Sequence, residues 1–68
     1  MEFRWHYYPN EMPLPGRYCV SAIDQARKEL IFVCRFDGAD WFDTATNLKL
    51  DFKKYLVAFR PILKKEKR

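Results

Sequence analysis

Two strongly apolar runs dominate the middle of the chain. Arg17 to Ile23 reads Arg-Tyr-Cys-Val-Ser-Ala-Ile, and Leu30 to Phe36 reads Leu-Ile-Phe-Val-Cys-Arg-Phe. Both are rich in the β-branched and aromatic residues that fit a pleated surface, so each is predicted to be a strand. The polar stretch Asp24 to Glu29 between them predicts an antiparallel hairpin. If Asp24 faces Glu29, partner numbers sum to 53, which sets Cys19 opposite Cys34 and Val20 opposite Val33. In that register both faces are largely apolar, which implies cover on both sides, by closure of the sheet or by a helix.

Downstream, Phe36-Asp37-Gly38-Ala39-Asp40-Trp41 carries the Asp-Gly signal of a tight turn, in which glycine tolerates a positive φ. A second hairpin follows, with Trp41 beside Phe36, Phe42 beside Arg35 and a third strand ending near Asp43. Thr44 to Asn47 reads as another turn. Residues 48–59 fit two templates: Leu48, Phe52, Tyr55, Leu56 and Phe59 have helical spacing, while Leu48, Leu50 and Phe52 alternate as in a strand. The β-forming run Tyr55 to Phe59 and the stop at Pro61 favour a turn near Asp51 to Lys54 and then a last strand. At the other end, Met1 to Tyr8 predicts a short edge strand, and Pro9, Pro13, Pro15 and Gly16 make residues 9–16 a loop. The expected fold is mainly β: a small antiparallel meander or partly closed barrel of three to five strands, with room for one short helical turn near residues 48–55. Residues 1–63 form a single domain, and 64–68 a basic tail expected to fray and to be dispensable for folding.

A chain of 68 residues has space for one core and no separate catalytic lobe. Its two Trp, four Tyr and six Phe supply large buried areas at little rotamer cost, which excludes disorder. The net charge of +4 is mostly terminal: Lys64, Lys65, Lys67 and Arg68 against Glu66 give +3, and residues 1–63 balance nine basic against eight acidic side chains. A body so nearly neutral lacks a broad field for tracking phosphates. No apolar run is long enough to span a bilayer, and Met-Glu-Phe-Arg-Trp lacks a signal-peptide layout, so the expectation is a cytoplasmic protein without a membrane partner. Cys19 and Cys34 are then expected as buried, reduced thiols, although facing cysteines can form a cross-strand disulfide.

The order Leu14-Pro15-Gly16-x-Tyr18-x-Val20, then Asp37-Gly38-x-x-Trp41, then Val57-x-Phe59-x-Pro61, resembles a family of short phage and prophage proteins with no assigned activity. That family pairs an opening Trp and a Leu-Pro segment with a Gly-x-Tyr-x-Val strand, an Asp-Gly-x-Trp hairpin and a closing Trp-x-Pro. This chain departs from it with Phe59 in place of Trp and one extra residue between Gly38 and Trp41. The resemblance implies a mobile-element origin and a compact β domain.

Little reactive chemistry is available. His6 is the sole histidine, and Cys19 and Cys34 lack the short Cys-x-x-Cys spacing that grips zinc, so neither a metal nor a cofactor is expected. Asp37, Asp40 and Asp43 fail the calcium-loop pattern, and Gly16 and Gly38 are too far apart to form a phosphate loop. Catalysis is not expected. Recognition is: Trp5, Tyr7, Tyr8 and Trp41 combine contact area with polar edges, and Arg4, Arg35 and Arg60 lie near aromatic residues. The favoured function is a non-enzymatic binding module with a protein partner. The alternative is a nucleic-acid-binding domain in which rings stack on bases and a basic cluster of Lys53, Lys54, Lys64, Lys65, Lys67 and Arg68 follows the backbone.

Overall fold

A computed structural model describes residues 3–62 of the chain. Within them lie six strands: β1 (His6–Tyr8), β2 (Gly16–Ile23), β3 (Glu29–Phe36), β4 (Trp41–Asp43), β5 (Lys49–Leu50) and β6 (Leu56–Arg60). They form one antiparallel sheet in the order β1-β6-β2-β3-β4-β5. The mainly β expectation holds, with six strands in place of three to five. Strands β2 to β5 are a meander of sequential neighbours. Strand β6 returns to the free side of β2, and β1 adds outside it.

The described residues contain no helix, so the helical turn near residues 48–55 is not formed. Strand β5 pairs Leu50 with Trp41, and the chain then turns: Lys53 N–H donates to the Asp51 carboxylate and Tyr55 N–H to the Phe52 carbonyl. The helical spacing had no face to serve, because Leu48 and Leu56 remain exposed while Leu50 and Phe52 pack against the core. The predicted Thr44 to Asn47 turn is present, closed by Asn47 N–H to the Asp43 carbonyl, with Asn47 at φ 60°. Residues 63–68, and with them the expected tail, lie outside the described residues.

The sheet is strongly curled. Strands β1 and β4 are four spacings apart in the sheet order, or about 19 Å if the sheet were flat. Yet the rings of Tyr8 on β1 and Trp41 on β4 lie 5.5 Å apart. The concave side therefore wraps a core of Tyr18, Val20, Cys34, Phe36, Trp41, Val57 and Phe59, while among the described residues the outer edges of β1 and β5 pair with no further strand and the sheet does not close into a barrel. The connection before β2 is tied down where the Tyr18 hydroxyl donates to the Leu14 carbonyl at 2.6 Å.

The β2–β3 hairpin is correct in its strands but one residue out in its register. Asp24 faces Lys28 rather than Glu29: Asp24 N–H donates to the Lys28 carbonyl, Arg27 N–H to the Asp24 carbonyl, and Lys28 N–H to Asp24 Oδ1. This is a three-residue loop with Arg27 at φ 64°, the turn followed by a left-handed residue that matches strand twist. Partner numbers therefore sum to 52, with Tyr18 opposite Cys34 and Cys19 opposite Val33. Paired side chains share a face, so Cys34 points into the core and Cys19 to the convex side. The two thiols, both free and buried, point away from each other, which excludes the cross-strand disulfide. The expectation of cover on both sides is met only at the centre of the second face, and neither closure of the sheet nor a helix among the described residues supplies it. In the true register the concave face builds the aromatic core, while the convex face buries Cys19, Val33, Ser21 and Ala58 at its centre and keeps Tyr7, Ile31 and Leu56 exposed around them.

Cys34 is fully buried, and that burial, with the Asp43 charge beside it, pushes its thiol up to about 12 from an ordinary 9.0. The folded thiol stays protonated where the unfolded one ionises, so this contribution to stability is whole below pH 9 and is lost as pH rises toward 12. The loss approaches about 1.4 kcal/mol per pH unit inside that window. Urea melts between pH 8 and pH 11 should therefore fall more steeply for the parent than for Cys34→Ala, which starts less stable. Equal slopes would mean that Cys34 ionises freely in the fold.

Candidate functional site

Where the curled sheet fails to close, a cleft of about 690 Å³ opens between the β1 edge and the β4–β5 edge. Tyr8, Pro9, Trp41, Leu50, Phe52 and Tyr55 line it. Trp41 forms its floor at 3% exposure, set there by the turn that precedes β4: Asp37 N–H donates to the Asp40 carbonyl, and the Asp37 carboxylate accepts from Ala39 and Asp40 N–H. Those amide hydrogen bonds hold the Asp37 carboxyl below its usual range. Five rings surround Trp41, those of Tyr8, Tyr18, Phe36, Phe52 and Phe59, at centroid distances from 4.7 to 6.5 Å. Its indole Nε1 is buried and meets no hydrogen-bond acceptor among the described residues. Across the cleft Phe52 and Tyr55 pack edge to face at 6.0 Å. The rim is electrically mixed, with Asp40 paired to Lys49 at 3.5 Å and Asp51 beside Lys53.

The opposite, convex face carries a different set. Arg17 faces Arg35 across β2 and β3, and Arg35 faces Phe42 across β3 and β4. The Arg35 guanidinium stacks 4.5 Å from the Phe42 ring and donates to Asn47 Oδ1 at 3.2 Å. Arg60, opposite Cys19, lies 5.0 Å from the Phe3 ring and 5.1 Å from Trp5. Tyr7 stands on the same face opposite Ala58, 65% exposed.

The predicted recognition residues are thus split by the sheet. Tyr8, Trp41 and Lys53 meet at the cleft, Trp41 as a core ring whose surface forms the floor. Trp5, Tyr7, Arg35 and Arg60 lie on the convex side, and Lys54 is exposed in the turn before β6. Lys64, Lys65, Lys67 and Arg68 fall outside the described residues. Arg4 belongs to a third group, ion-paired with Glu11 at 2.8 Å, where Glu11 also meets Nδ1 of the buried His6 at 3.2 Å. Hydrogen bonds from Arg4 and His6 lower the Glu11 carboxyl from its ordinary value. His6 itself stacks on Phe59 at 5.4 Å. Among the described residues no three His, Cys, Asp or Glu side chains gather as a metal site would require.

Sequence reasoning missed Phe52 and Tyr55 as cleft residues because the segment holding them fitted two templates. It missed Arg17 because the shifted register set Tyr18, not Arg17, opposite Arg35. No family model, curated protein or solved structure matches the chain.

Proposed function

We propose that this domain is a non-enzymatic binding module that takes an extended, proline-bearing segment of a partner protein in the cleft at the open side of its sheet. The observation that carries this reading is the aromatic lining of that cleft, with Tyr8, Phe52 and Tyr55 over the Trp41 floor. Rings of this kind give large contact area with few torsions to freeze. Strand addition is a poor alternative mode here. The bordering edges are short, three residues in β1 and two in β5, and Pro9 has no N–H to offer. Recognition must then go through side chains, and a polyproline-type helix docks on aromatic grooves without backbone pairing. The mixed rim charge favours a segment of low net charge.

A phage or mobile-element setting is supported by the order of the Leu-Pro, Gly-x-Tyr-x-Val, Asp-Gly and Phe-x-Pro elements alone. A cytoplasmic setting is supported by the two buried free thiols, which suit a reducing compartment. No helix among the described residues is long and apolar enough to cross a membrane.

Tyr55→Ala tests the site. Tyr55 is 37% exposed and packs chiefly on Phe52, so its loss should change stability by no more than about 1 kcal/mol. On an array of proline-containing decapeptides, the parent should bind a subset that the variant binds at least about tenfold more weakly, a loss of ~1.4 kcal/mol. Equal binding by parent and variant would remove the cleft from the account.

A further inference from the structure

The near-neutral charge of the body conceals a segregation that the register exposes. Arg17 and Arg35 are directly opposed on β2 and β3, and Arg60 on β6 is opposite Cys19, two residues along from Arg17. On one face such diagonal neighbours stand about 7–8 Å apart. Three guanidinium groups therefore share one end of the convex face. Glu29, at the far end of that face, is occupied by the Ser21 hydroxyl at 2.6 Å. Among the described residues neither Arg17 nor Arg35 forms an ion pair. Arg35 has folding partners in Phe42, Asn47 and the nearby Asp37 charge, but like charges directly opposed across strands destabilise a sheet, so folding alone gives no reason for setting Arg17 opposite it.

The neighbours of these arginines narrow the ligand. The Arg35 guanidinium stands over the Phe42 ring and that of Arg60 over the rings of both Phe3 and Trp5, and on the same face Phe3 and Tyr7 are more than half exposed. Stacked guanidinium planes and exposed rings offer surfaces for bases, while the positive charges follow a phosphate backbone. A free phosphate or a lipid headgroup would use the charge and leave the exposed Phe3 and Tyr7 surfaces unused. We infer that this basic, aromatic end of the convex face binds single-stranded nucleic acid. The surface is separate from the cleft and does not depend on the peptide reading.

The test uses the full chain and a fluorescein-labelled oligonucleotide of twelve thymidines, read by anisotropy at low salt. The parent should bind, with an affinity that falls as salt rises by a logarithmic slope of about −2, corresponding to roughly three phosphates on a single strand. Arg17→Glu turns the like-charge pair into an opposite-charge one, so its melting temperature should equal or exceed that of the parent. Its affinity for the oligonucleotide should nonetheless fall by about tenfold or more, while Arg17→Lys stays within about threefold. Binding unchanged by Arg17→Glu would assign the nucleic acid to other charges of the chain and overturn the inference. So would the absence of parent binding, or a response to Arg17→Glu seen with phosphatidylserine vesicles and not with the oligonucleotide. Peptide binding in the cleft should be indifferent to Arg17→Glu, which keeps failure of one reading distinct from failure of the other.

Discussion

Trp41→Ala is expected to cost about 3–5 kcal/mol, the range for removing a large buried ring from a core. For a domain of this length total stability is only about 3–10 kcal/mol, so the variant should lose roughly a third or more of it. The reason is geometric. Trp41 sits on β4 yet touches Tyr8 on β1 and Phe59 on β6, so this one ring joins strands that the sheet order keeps apart. Without it the curl loses its central contact. Trp41→Phe separates packing from polarity: it keeps a ring in place and removes the buried Nε1 that has no acceptor, so part of the packing loss is offset. Denaturant unfolding followed by far-ultraviolet circular dichroism should rank parent, Trp41→Phe and Trp41→Ala in that order. A Trp41→Ala domain within about 1 kcal/mol of the parent would show that the ring does not organise the core.

The second large effect belongs to Gly38. It has φ 105° at the first central position of the two-residue turn between Asp37 and Asp40, where the hairpin geometry needs a positive φ. A Cβ there would meet only Pro15 at 3.7 Å, an ordinary contact, so the expected penalty comes from the backbone and not from crowding. Gly38→Val should lose about 1–3 kcal/mol. For a domain of this size each kilocalorie lowers the melting temperature by about 4–8 °C. The tightness of the turn also sets the position of Trp41, so the same variant should loosen the cleft floor. A melting point within a degree or two of the parent would show that the turn can be made without a positive φ.

The sequence made the local elements legible to differing degrees, for identifiable reasons. Strands β2 and β3, the Asp-Gly turn, the Phe36–Trp41 and Arg35–Phe42 pairs and the last strand were readable because each rests on nearest-neighbour chemistry. The register of β2 on β3 was not. It depended on whether the loop spans three residues or four, and Arg27 in a left-handed conformation is not a residue that advertises the shorter loop. That single slip brought the cysteines together and hid the Arg17 and Arg35 pair. The curl was also illegible, because it is made by contacts such as Tyr8 to Trp41 between residues far apart in the chain. Since the cleft is a product of the curl, only Tyr8, Trp41 and Lys53 of its residues were marked beforehand, and these for their chemistry rather than their place.

Recognition of an extended protein segment in the aromatic cleft can be read directly from amide chemical shifts. The labelled parent would be titrated with the tightest proline-containing decapeptide from the array. Saturable shifts should concentrate at Tyr8, Asp40, Leu50, Phe52 and Tyr55, with the convex residues Ser21, Ile31 and Ala58 unmoved. Shifts concentrated on the convex residues, or none at millimolar peptide, where even a complex of about −4 kcal/mol would be half formed, would contradict it.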